Sequence, residues 1–284
     1  HDPAPGANLT LHLDINLQRT AYEALGEQRG AVVVIDPLTG GIMALVSTPG
    51  FDTNLFVNGI SNRDYSALRD SLDVPLFNRA VQGSYPPGST VKPFMGMAGL
   101  ESGLVTPETT VPDPGWYKLP GASRRYRDWI LRIRGTGHAP RVDLKMAIAE
   151  SCDVYFYDLA RRLTIDRMYD YLSPYGFGSR TGVDTTSESP GVLPSTRWKR
   201  GHMNQPWYPG ETVSAGIGQG YWLATPLQLA AATSVMASRG QRRVPRLLKA
   251  VDGELVEEPL LEPVQAAAGN WDAVFDGMRE VVHG

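Results

Sequence analysis

The sequence predicts a mixed α/β fold, and three features of its 284 residues support that prediction. A β-branched run at residues 31–36 and an apolar run at residues 42–47 flank the turn sequence Pro37-Leu38-Thr39-Gly40-Gly41, a pattern typical of a β-hairpin. Helical periodicity is found at residues 16–26, 142–164, 227–237 and 269–283. With 42% hydrophobic residues the chain can bury a large core, so its length favours one large domain or two interlocked domains.

Composition excludes some classes of function. A formal net charge of −3, from 27 basic and 30 acidic residues, gives no overall attraction to a polyanion, so no nucleic-acid partner is expected. Cys152 is the only cysteine, which excludes an intrachain disulfide and leaves the redox compartment unassigned.

The chain contains no apolar run that approaches the roughly 18 residues needed to span a bilayer. It begins with His1 and a Pro- and Gly-rich stretch, so we expect a piece of a longer protein whose anchor or signal, if it has one, lies upstream. Residues 1–30 are interpreted as a linker leading into the domain, and residues 31–284 as the domain itself.

The middle of the chain alternates predicted helices with irregular segments. Residues 106–141 contain five prolines and a cluster of arginines, which predict a long ordered loop with little regular structure. The helical pattern that follows this loop is interrupted at Ser151-Cys152-Asp153. The other predicted elements are short helices at residues 62–70 and 89–102 and a strand at residues 244–250.

Ser89 and Lys92 form the only Ser-x-x-Lys sequence in the chain. They follow a stiff turn that contains Pro86, Pro87 and Gly88, so Ser89 is predicted to open a helix. On a helix, side chains three residues apart are neighbours, and an amine there can take the proton of a hydroxyl nucleophile. Burial and nearby positive charge would keep such an amine neutral. The tetrapeptide alone also fits an ordinary surface helix with a capping serine.

The longer segment Pro86-Pro87-Gly88-Ser89-Thr90-Val91-Lys92-Pro93 resembles the active-site segment of the class B penicillin-binding proteins, the peptidoglycan D,D-transpeptidases. The turn at residues 36–41 and the segment 214–226 are similar to the same family, closest to its elongation-specific penicillin-binding protein 2 group. The resemblance covers most of residues 31–284. It implies an α+β fold of the penicillin-binding transpeptidase and serine β-lactamase type, with a central, mostly antiparallel sheet flanked by helices and an adjoining helical lobe.

The family's second motif, Ser-x-Asn, corresponds to Ser151-Cys152-Asp153. The resemblance implies that Ser89 is the nucleophile, that Lys92 is its base and that Ser151 relays protons. Asp153 occupies the place of an asparagine that binds substrate. A carboxylate accepts hydrogen bonds but cannot donate one to a substrate carbonyl, which puts the substrate-binding role of Asp153 in doubt.

The family's third motif, Lys-Ser/Thr-Gly on a strand, does not occur in this sequence. In the family that strand follows sequence similar to residues 277–282, so we expect the domain to be incomplete at its C-terminus. The strand supplies an oxyanion-hole N–H, and losing one such donor costs about a hundredfold or more in rate. The chain alone is therefore expected to turn over poorly.

Four residues other than the predicted catalytic residues are candidates for a metal site. Asp113, Asp128 and His138 lie in the long loop and Cys152 in the second motif, and all are residue types that bind Zn²⁺ tetrahedrally. The alternative is a solvated His138 and a small buried Cys152. Members of the penicillin-binding protein 2 group look similar here and carry zinc, so the resemblance implies a structural Zn²⁺, with no cofactor needed for catalysis.

The resemblance implies cross-linking of peptidoglycan stem peptides during cell elongation, D,D-carboxypeptidase side activity and inhibition by β-lactams. It implies a location on the periplasmic face of the bacterial inner membrane and a membrane-embedded glycan polymerase of the elongation machinery as partner. A catalytically silent penicillin-fold sensor or scaffold, and a serine β-lactamase-like hydrolase, remain as alternatives. A Ser-His-Asp triad is disfavoured because neither His138 nor His202 accompanies a nucleophile-elbow sequence.

Overall fold

The computed structural model describes residues 6–259 and 261–283. In chain order its strands and helices are β1 (Leu9–Leu11), α1 (Ile15–Leu25), β2 (Gly30–Ile35), β3 (Ile42–Thr48), α2 (Asn62–Arg69), α3 (Lys92–Glu101), β4 (Val111–Pro112), β5 (Trp116–Lys118), β6 (Arg125–Arg127), α4 (Leu131–Arg134), β7 (Arg141–Val142), α5 (Leu144–Ala149), α6 (Asp153–Leu163), α7 (Ile165–Leu172), α8 (Thr196–Met203), α9 (Pro209–Ala215), α10 (Pro226–Ala237), β8 (Leu248–Val251), β9 (Glu254–Leu255) and α11 (Ala268–His283).

The chain divides into two compact units. The first contains the described residues of His1–Ser84, Ser179–Gly191 and Ala224–Pro263, and the second contains those of Tyr85–Gly178, Val192–Leu223 and Val264–Gly284. Every residue predicted to take part in catalysis or metal binding lies in the second unit.

The first unit is built on the predicted hairpin. Strands β2 and β3 pair antiparallel, with Val33 opposite Leu45. Alternate residues of β3 are buried, as the two-residue period of a strand with one covered face requires. Helix α1 packs on β3 and α10 on β2. The resulting core contains Ile42, Ala80, Val81, Val183 and Leu227.

A second sheet of the first unit has the strand order β1-β8-β9, with both pairs antiparallel. Strand pairing is mostly antiparallel, as predicted, although a parallel bridge joins Gly41 to Arg246. The strand predicted at residues 244–250 is β8, which starts only at Leu248. The Asp184 carboxylate accepts the backbone N–H groups of Leu247 and Leu248, both at 2.7 Å, and thereby takes donors that a longer strand would use in its ladder.

The segment before residue 31 contains regular structure from Leu9 onward. Strand β1 pairs with β8, and α1 confirms the predicted helix, with Asp14 accepting the N–H groups of Asn16 and Leu17. Residues 1–5 of the predicted linker lie outside the described residues. The boundary at residue 31 and the incomplete C-terminus stay predictions.

The second unit is organised around α3. This helix is buried from Phe94 to Leu100 and packs against α5, α6, α7 and α11, which explains why its sequence is apolar on every side. Helices α5 and α6 confirm the predicted interruption at residues 151–153. The interruption places the second motif at the N-terminal end of α6.

The loop at residues 106–141 has more regular structure than predicted. Strands β4 and β7 pair near its two ends, and β5 and β6 form a hairpin inside it. The guanidinium group of Arg125 lies 4.3 Å from the ring centre of Trp116, across this hairpin. Pairing between distant, proline-flanked segments leaves no local periodicity, which is why the sequence pattern missed it.

None of the helices in residues 6–259 and 261–283 combines the length and the hydropathy needed to cross a membrane.

Candidate active site

Ser89 lies in a 3₁₀ turn, Gly88–Val91, that leads directly into α3. The predicted helix therefore begins at Lys92 rather than at Ser89. The reason is Pro93, which has no N–H to donate to the Ser89 carbonyl, so the Lys92 N–H donates to it instead in a 3₁₀ bond. Ser89 is exposed and provides no side-chain cap for the turn or for α3, which removes the ordinary capping-serine interpretation.

The turn that carries Ser89 is held by a glycine of the segment 214–226. The Gly88 N–H donates to the Gly218 carbonyl at 2.9 Å. Gly218 has a φ of 69°, and a Cβ atom there would lie 2.3 Å from the Gly88 carbonyl oxygen. Only glycine therefore permits this backbone approach next to the proposed nucleophile.

Lys92 is buried, with 1% of its surface exposed, and its ammonium group has three partners. Nζ donates to the Ser151 carbonyl at 2.7 Å, to Ser151 Oγ at 3.0 Å and to Asp153 Oδ1 at 2.6 Å. The structure thus brings together the two motifs that the sequence places about 60 residues apart. The charged group next to Nζ is a carboxylate, whereas the expectation from the sequence was a nearby positive charge.

Asp153 is engaged with Lys92 in a buried ion pair. Burial raises the pKa of the Asp153 carboxyl, and the adjacent Lys92 charge and hydrogen bond act in the opposite direction. This geometry gives Asp153 the position of an anchor for Lys92. Its substrate-binding role stays a prediction.

Ser151 has a left-handed backbone conformation, with a φ of 55°, which is strained for a residue with a side chain. Its carbonyl accepts two hydrogen bonds, from Lys92 Nζ and from Trp129 Nε1 at 3.0 Å. Trp129 was not among the predicted site residues. The signal available was its place directly after Asp128, and sequence alone does not show that its indole reaches the second motif.

The four predicted metal ligands lie together in the second unit. One ligand atom from each of Asp113, Asp128, His138 and Cys152 lies within 4.8 Å of all the others. Asp113, Asp128 and Cys152 are buried, and the His138 side chain has no exposed surface. The solvated-histidine alternative therefore does not describe this protein.

The surroundings of this cluster suit a cation. Burial raises the pKa of the Cys152 thiol, so an unaccompanied thiolate would be unfavourable, and a bound cation would stabilise it. Glu150 Oε2 lies 3.0 Å from His138 Nδ1, which leaves Nε2 directed at the cluster. The residues present therefore fit a tetrahedral zinc ion of mixed oxygen, nitrogen and sulfur ligands.

Asp128 connects the cluster to the second motif. Its Oδ1 lies 3.2 Å from His138 Nε2, while its Oδ2 accepts the N–H groups of Asp153 at 2.7 Å and Val154 at 3.2 Å. The same carboxylate therefore caps the N-terminal end of α6 and is one of the four candidate metal ligands.

Residues 30–284 match the family model described as the penicillin-binding protein transpeptidase domain. The chain is 51% identical over 252 residues to the peptidoglycan D,D-transpeptidase MrdA of Acinetobacter baumannii, in an alignment that covers 89% of this chain and 37% of that protein. It is 42% identical over 286 residues to MrdA of Escherichia coli strain K12, covering 99% of this chain and 44% of that protein. The chain spans less than half the length of these two curated relatives.

Solved structures show the same relationship. The structure of Pseudomonas aeruginosa PBP2 in complex with WCK 5153 matches with a TM-score of 0.92 at 47% identity, over 100% of this chain and 61% of that one. PBP2 of Helicobacter pylori in its complex with MreC matches with a TM-score of 0.86 at 35% identity, over 96% of this chain and 49% of that one.

Proposed function

The chain belongs to the penicillin-binding protein transpeptidase domain family, and from this premise we propose that it cross-links peptidoglycan stem peptides through an acyl-enzyme at Ser89. One observation carries the proposal. Nζ of the buried Lys92 contacts Ser151 Oγ and Asp153, and Lys92 follows by three residues an exposed serine whose backbone turn is held by Gly218. This arrangement supports the assignment of Ser89 as nucleophile, Lys92 as base and Ser151 as proton relay.

In the acylation step, Ser89 Oγ attacks the carbonyl carbon of the penultimate D-Ala of a stem peptide. The new C–O ester bond forms, the C–N peptide bond breaks, and terminal D-Ala leaves as the amine. Lys92 Nζ, as a neutral amine, accepts the Ser89 proton. Ser151 Oγ then gives its proton to the departing nitrogen and takes the proton held by Lys92 Nζ in its place. Asp153 fixes the position of Nζ throughout.

In the second step, the amine of an acceptor stem peptide attacks the ester carbonyl. The new C–N bond forms, the C–O bond to Ser89 breaks, and the proton lost by the amine returns to Ser89 Oγ through the same groups. Water in place of the amine would give the D,D-carboxypeptidase side activity. A β-lactam would acylate Ser89 in the same way.

We also propose that Asp113, Asp128, His138 and Cys152 hold a structural Zn²⁺. The ion would neutralise a buried group of anionic ligands and join the loop at residues 106–141 to α6, and it would take no part in the acyl transfer. Metal content measured by mass spectrometry should be stoichiometric in the purified protein and be lost in Cys152→Ser. A metal-free protein of unchanged stability would contradict the proposal.

Relatives support a proposal about partners and location. One related structure is named "Structural coordination of polymerization and crosslinking by a peptidoglycan synthase complex", at 35% identity and a TM-score of 0.88, and another is the PBP2–MreC complex. We infer that this chain acts beside a membrane-embedded glycan polymerase of the elongation machinery, on the periplasmic face of the inner membrane. Co-purification with that polymerase from membranes tests the partnership.

Intact mass after incubation with a penicillin tests the proposed nucleophile. Wild-type protein should gain a stable adduct of one penicillin, and Ser89→Ala should gain none. A silent scaffold would not acylate at all, and a β-lactamase would acylate and then release hydrolysed penicillin. Release of hydrolysed penicillin would overturn the transpeptidase proposal, and so would absence of an adduct in a protein extended at its C-terminus to include the third-motif strand.

A further inference from the structure

Two cavities of the second unit share a wall, and neither is lined by Ser89, Lys92, Ser151 or Asp153. One cavity has a volume of about 820 Å³ and the other of about 660 Å³, both within the range of ligand-binding pockets. Thr196 and Trp207 line both cavities. We call the two together the Trp207 groove.

The two ends of the Trp207 groove differ in chemistry. The larger cavity is lined mainly by apolar and aromatic side chains, among them Leu119, Tyr126, Ile165 and Pro209. The smaller one is lined by polar and cationic side chains: Arg197, Arg200, Asn204 and Gln205. A ligand that fills the groove therefore has an apolar face and an anionic or hydrogen-bonding end.

Trp207 is held rigidly between the two cavities. Its Nε1 donates to Thr212 Oγ1 at 2.8 Å, and its ring centre lies 6.1 Å from that of Tyr221. The Lys199 ammonium lies 5.8 Å from the Trp207 ring centre. Because these three contacts fix the orientation of the indole, a ligand would lose little binding energy in ordering it.

Lys199 is fully buried and belongs to no predicted catalytic motif. Its ammonium forms an ion pair with Glu211 and lies 4.7 Å from the ring centre of Tyr208. The other Glu211 oxygen accepts the Tyr208 N–H at 2.8 Å. A buried charge is costly unless it is paired, and Glu211 supplies the pairing for Lys199. Because Glu211 also binds the Tyr208 backbone, this cluster stabilises the segment that carries Trp207.

The cationic end has unused binding capacity. Arg197 and Arg200 are exposed, and within residues 6–259 and 261–283 neither forms an ion pair. Guanidinium groups of this kind bind carboxylates through paired N–H donors. The neighbouring amides of Asn204 and Gln205 can both donate and accept hydrogen bonds.

We propose that the Trp207 groove binds a disaccharide-peptide segment of uncross-linked peptidoglycan, with an amino-sugar ring on Trp207 and stem-peptide carboxylates at Arg197 and Arg200. The inference rests on the proposed transpeptidase function, which supplies this class of ligand. The C–H face of a pyranose packs on an aromatic ring, and its hydroxyl and acetamido groups match the amides beside it.

A soluble disaccharide-tripeptide tests this proposal, because it lacks the D-Ala-D-Ala bond and cannot acylate Ser89. Titration calorimetry on the full chain should show binding, and Trp207→Ala should weaken it about tenfold or more. Trp207→Phe should retain part of the affinity. Arg200→Gln should weaken binding of the disaccharide-tripeptide and leave binding of the disaccharide alone unchanged.

Matched controls are two residues of α7 that do not line the groove. Tyr169→Ala removes an aromatic ring that is 40% exposed, and Arg167→Gln removes an exposed guanidinium, so both should bind the ligand as the wild type does. If Trp207→Ala fails to fold, Trp207→Phe and Arg200→Gln carry the test.

Absence of wild-type binding at millimolar ligand would overturn the proposal. So would wild-type affinity both in Arg200→Gln and in Trp207→Ala, or in Trp207→Phe where Trp207→Ala does not fold. Affinity for the tripeptide alone equal to that for the disaccharide-tripeptide would also overturn it, since the sugar would then contribute nothing. Penicillin acylation of the same wild-type preparation tests the transpeptidase proposal separately. A protein that acylates but does not bind the disaccharide-tripeptide would refute only the groove.

Discussion

Two lysines of the second unit are almost completely buried, and each is paired with a carboxylate, but their surroundings differ. Lys92 contacts a hydroxyl and a backbone carbonyl as well as Asp153, and it follows the exposed Ser89 by three residues. Lys199 is enclosed by the rings of Trp207, Tyr208 and Tyr221 together with Glu211. Because both lysines are buried and paired with a carboxylate, a buried ion pair alone does not identify a reactive lysine.

The partners beyond the carboxylate distinguish the two sites. A hydroxyl lies 3.0 Å from Lys92 Nζ and gives a proton a path to a reacting group, whereas Lys199 Nζ donates to Glu211 and is otherwise surrounded by aromatic rings. We therefore expect the Lys92 site to control rate and the Lys199 site to control stability. Variants at the two sites test this distinction.

The largest effect is expected from Lys92→Met. Removing the base should slow acylation by penicillin about a thousandfold, because the Ser89 proton loses its acceptor. Stopped-flow acylation measured by mass or by a fluorescent penicillin checks this. The control is Lys249→Met, which removes an exposed lysine of β8 and should acylate as the wild type does. Similar rates for the two variants would contradict the role of Lys92.

Glu211→Gln should lower the melting temperature by roughly 5 to 10 °C, because it leaves the buried Lys199 charge without a partner. The double variant Lys199→Met with Glu211→Gln should recover part of this loss, since both charges are then absent. Calorimetry measures both changes.

The control for this pair is Glu280→Gln, which breaks the exposed ion pair between Lys145 and Glu280 at 2.8 Å. Exposed pairs contribute little, so its melting temperature should stay near that of the wild type. A decrease in melting temperature as large as that in Glu211→Gln would show that the buried Lys199–Glu211 pair contributes no more stability than an exposed pair.

Trp129→Phe should reduce the acylation rate about five- to tenfold, because it removes the hydrogen bond from Nε1 to the Ser151 carbonyl and keeps most of the ring. The change should appear in the acylation rate constant and leave metal content unchanged. Loss of zinc together with activity would assign Trp129 to the metal cluster instead.

The smallest effect concerns pH. Burial, the largest single influence on Lys199, lowers its pKa, but Glu211 and the neighbouring tyrosines together raise it above the ordinary 10.5. A raised folded-state pKa contributes stability below the unfolded value and loses it as pH rises through the folded value. The difference in melting temperature between wild type and Lys199→Met should therefore persist at neutral pH and shrink above about pH 10.5. A difference in melting temperature that grows with alkaline pH would contradict a raised pKa of Lys199 in the folded protein.

The sequence predicted the Lys92 site better than the Lys199 site for a physical reason. Ser89 and Lys92 are close in sequence, and a turn followed by helix formers marks their local conformation. The resemblance implied that Ser151 acts in the same site as Lys92, whereas the contact of Lys92 with the Asp153 carboxylate was not predicted.

Lys199, in contrast, lies in the strongly polar helix α8, whose pattern predicts an exposed side chain. Its burial depends on Glu211 and on aromatic residues that arrive from other segments, and no local periodicity reports such contacts. The same limit applies to Trp129 and to Glu150, whose side chains reach the second motif and His138 through tertiary structure.

The backbone contact between Gly88 and Gly218 has an evolutionary consequence. Any side chain at position 218 would collide with the carbonyl oxygen of Gly88, the residue that precedes Ser89. Under the proposed acylation of Ser89 by a β-lactam, we therefore expect substitutions that slow acylation to be tolerated less at position 218 than at exposed positions beside the nucleophile, such as Tyr85 and Thr90.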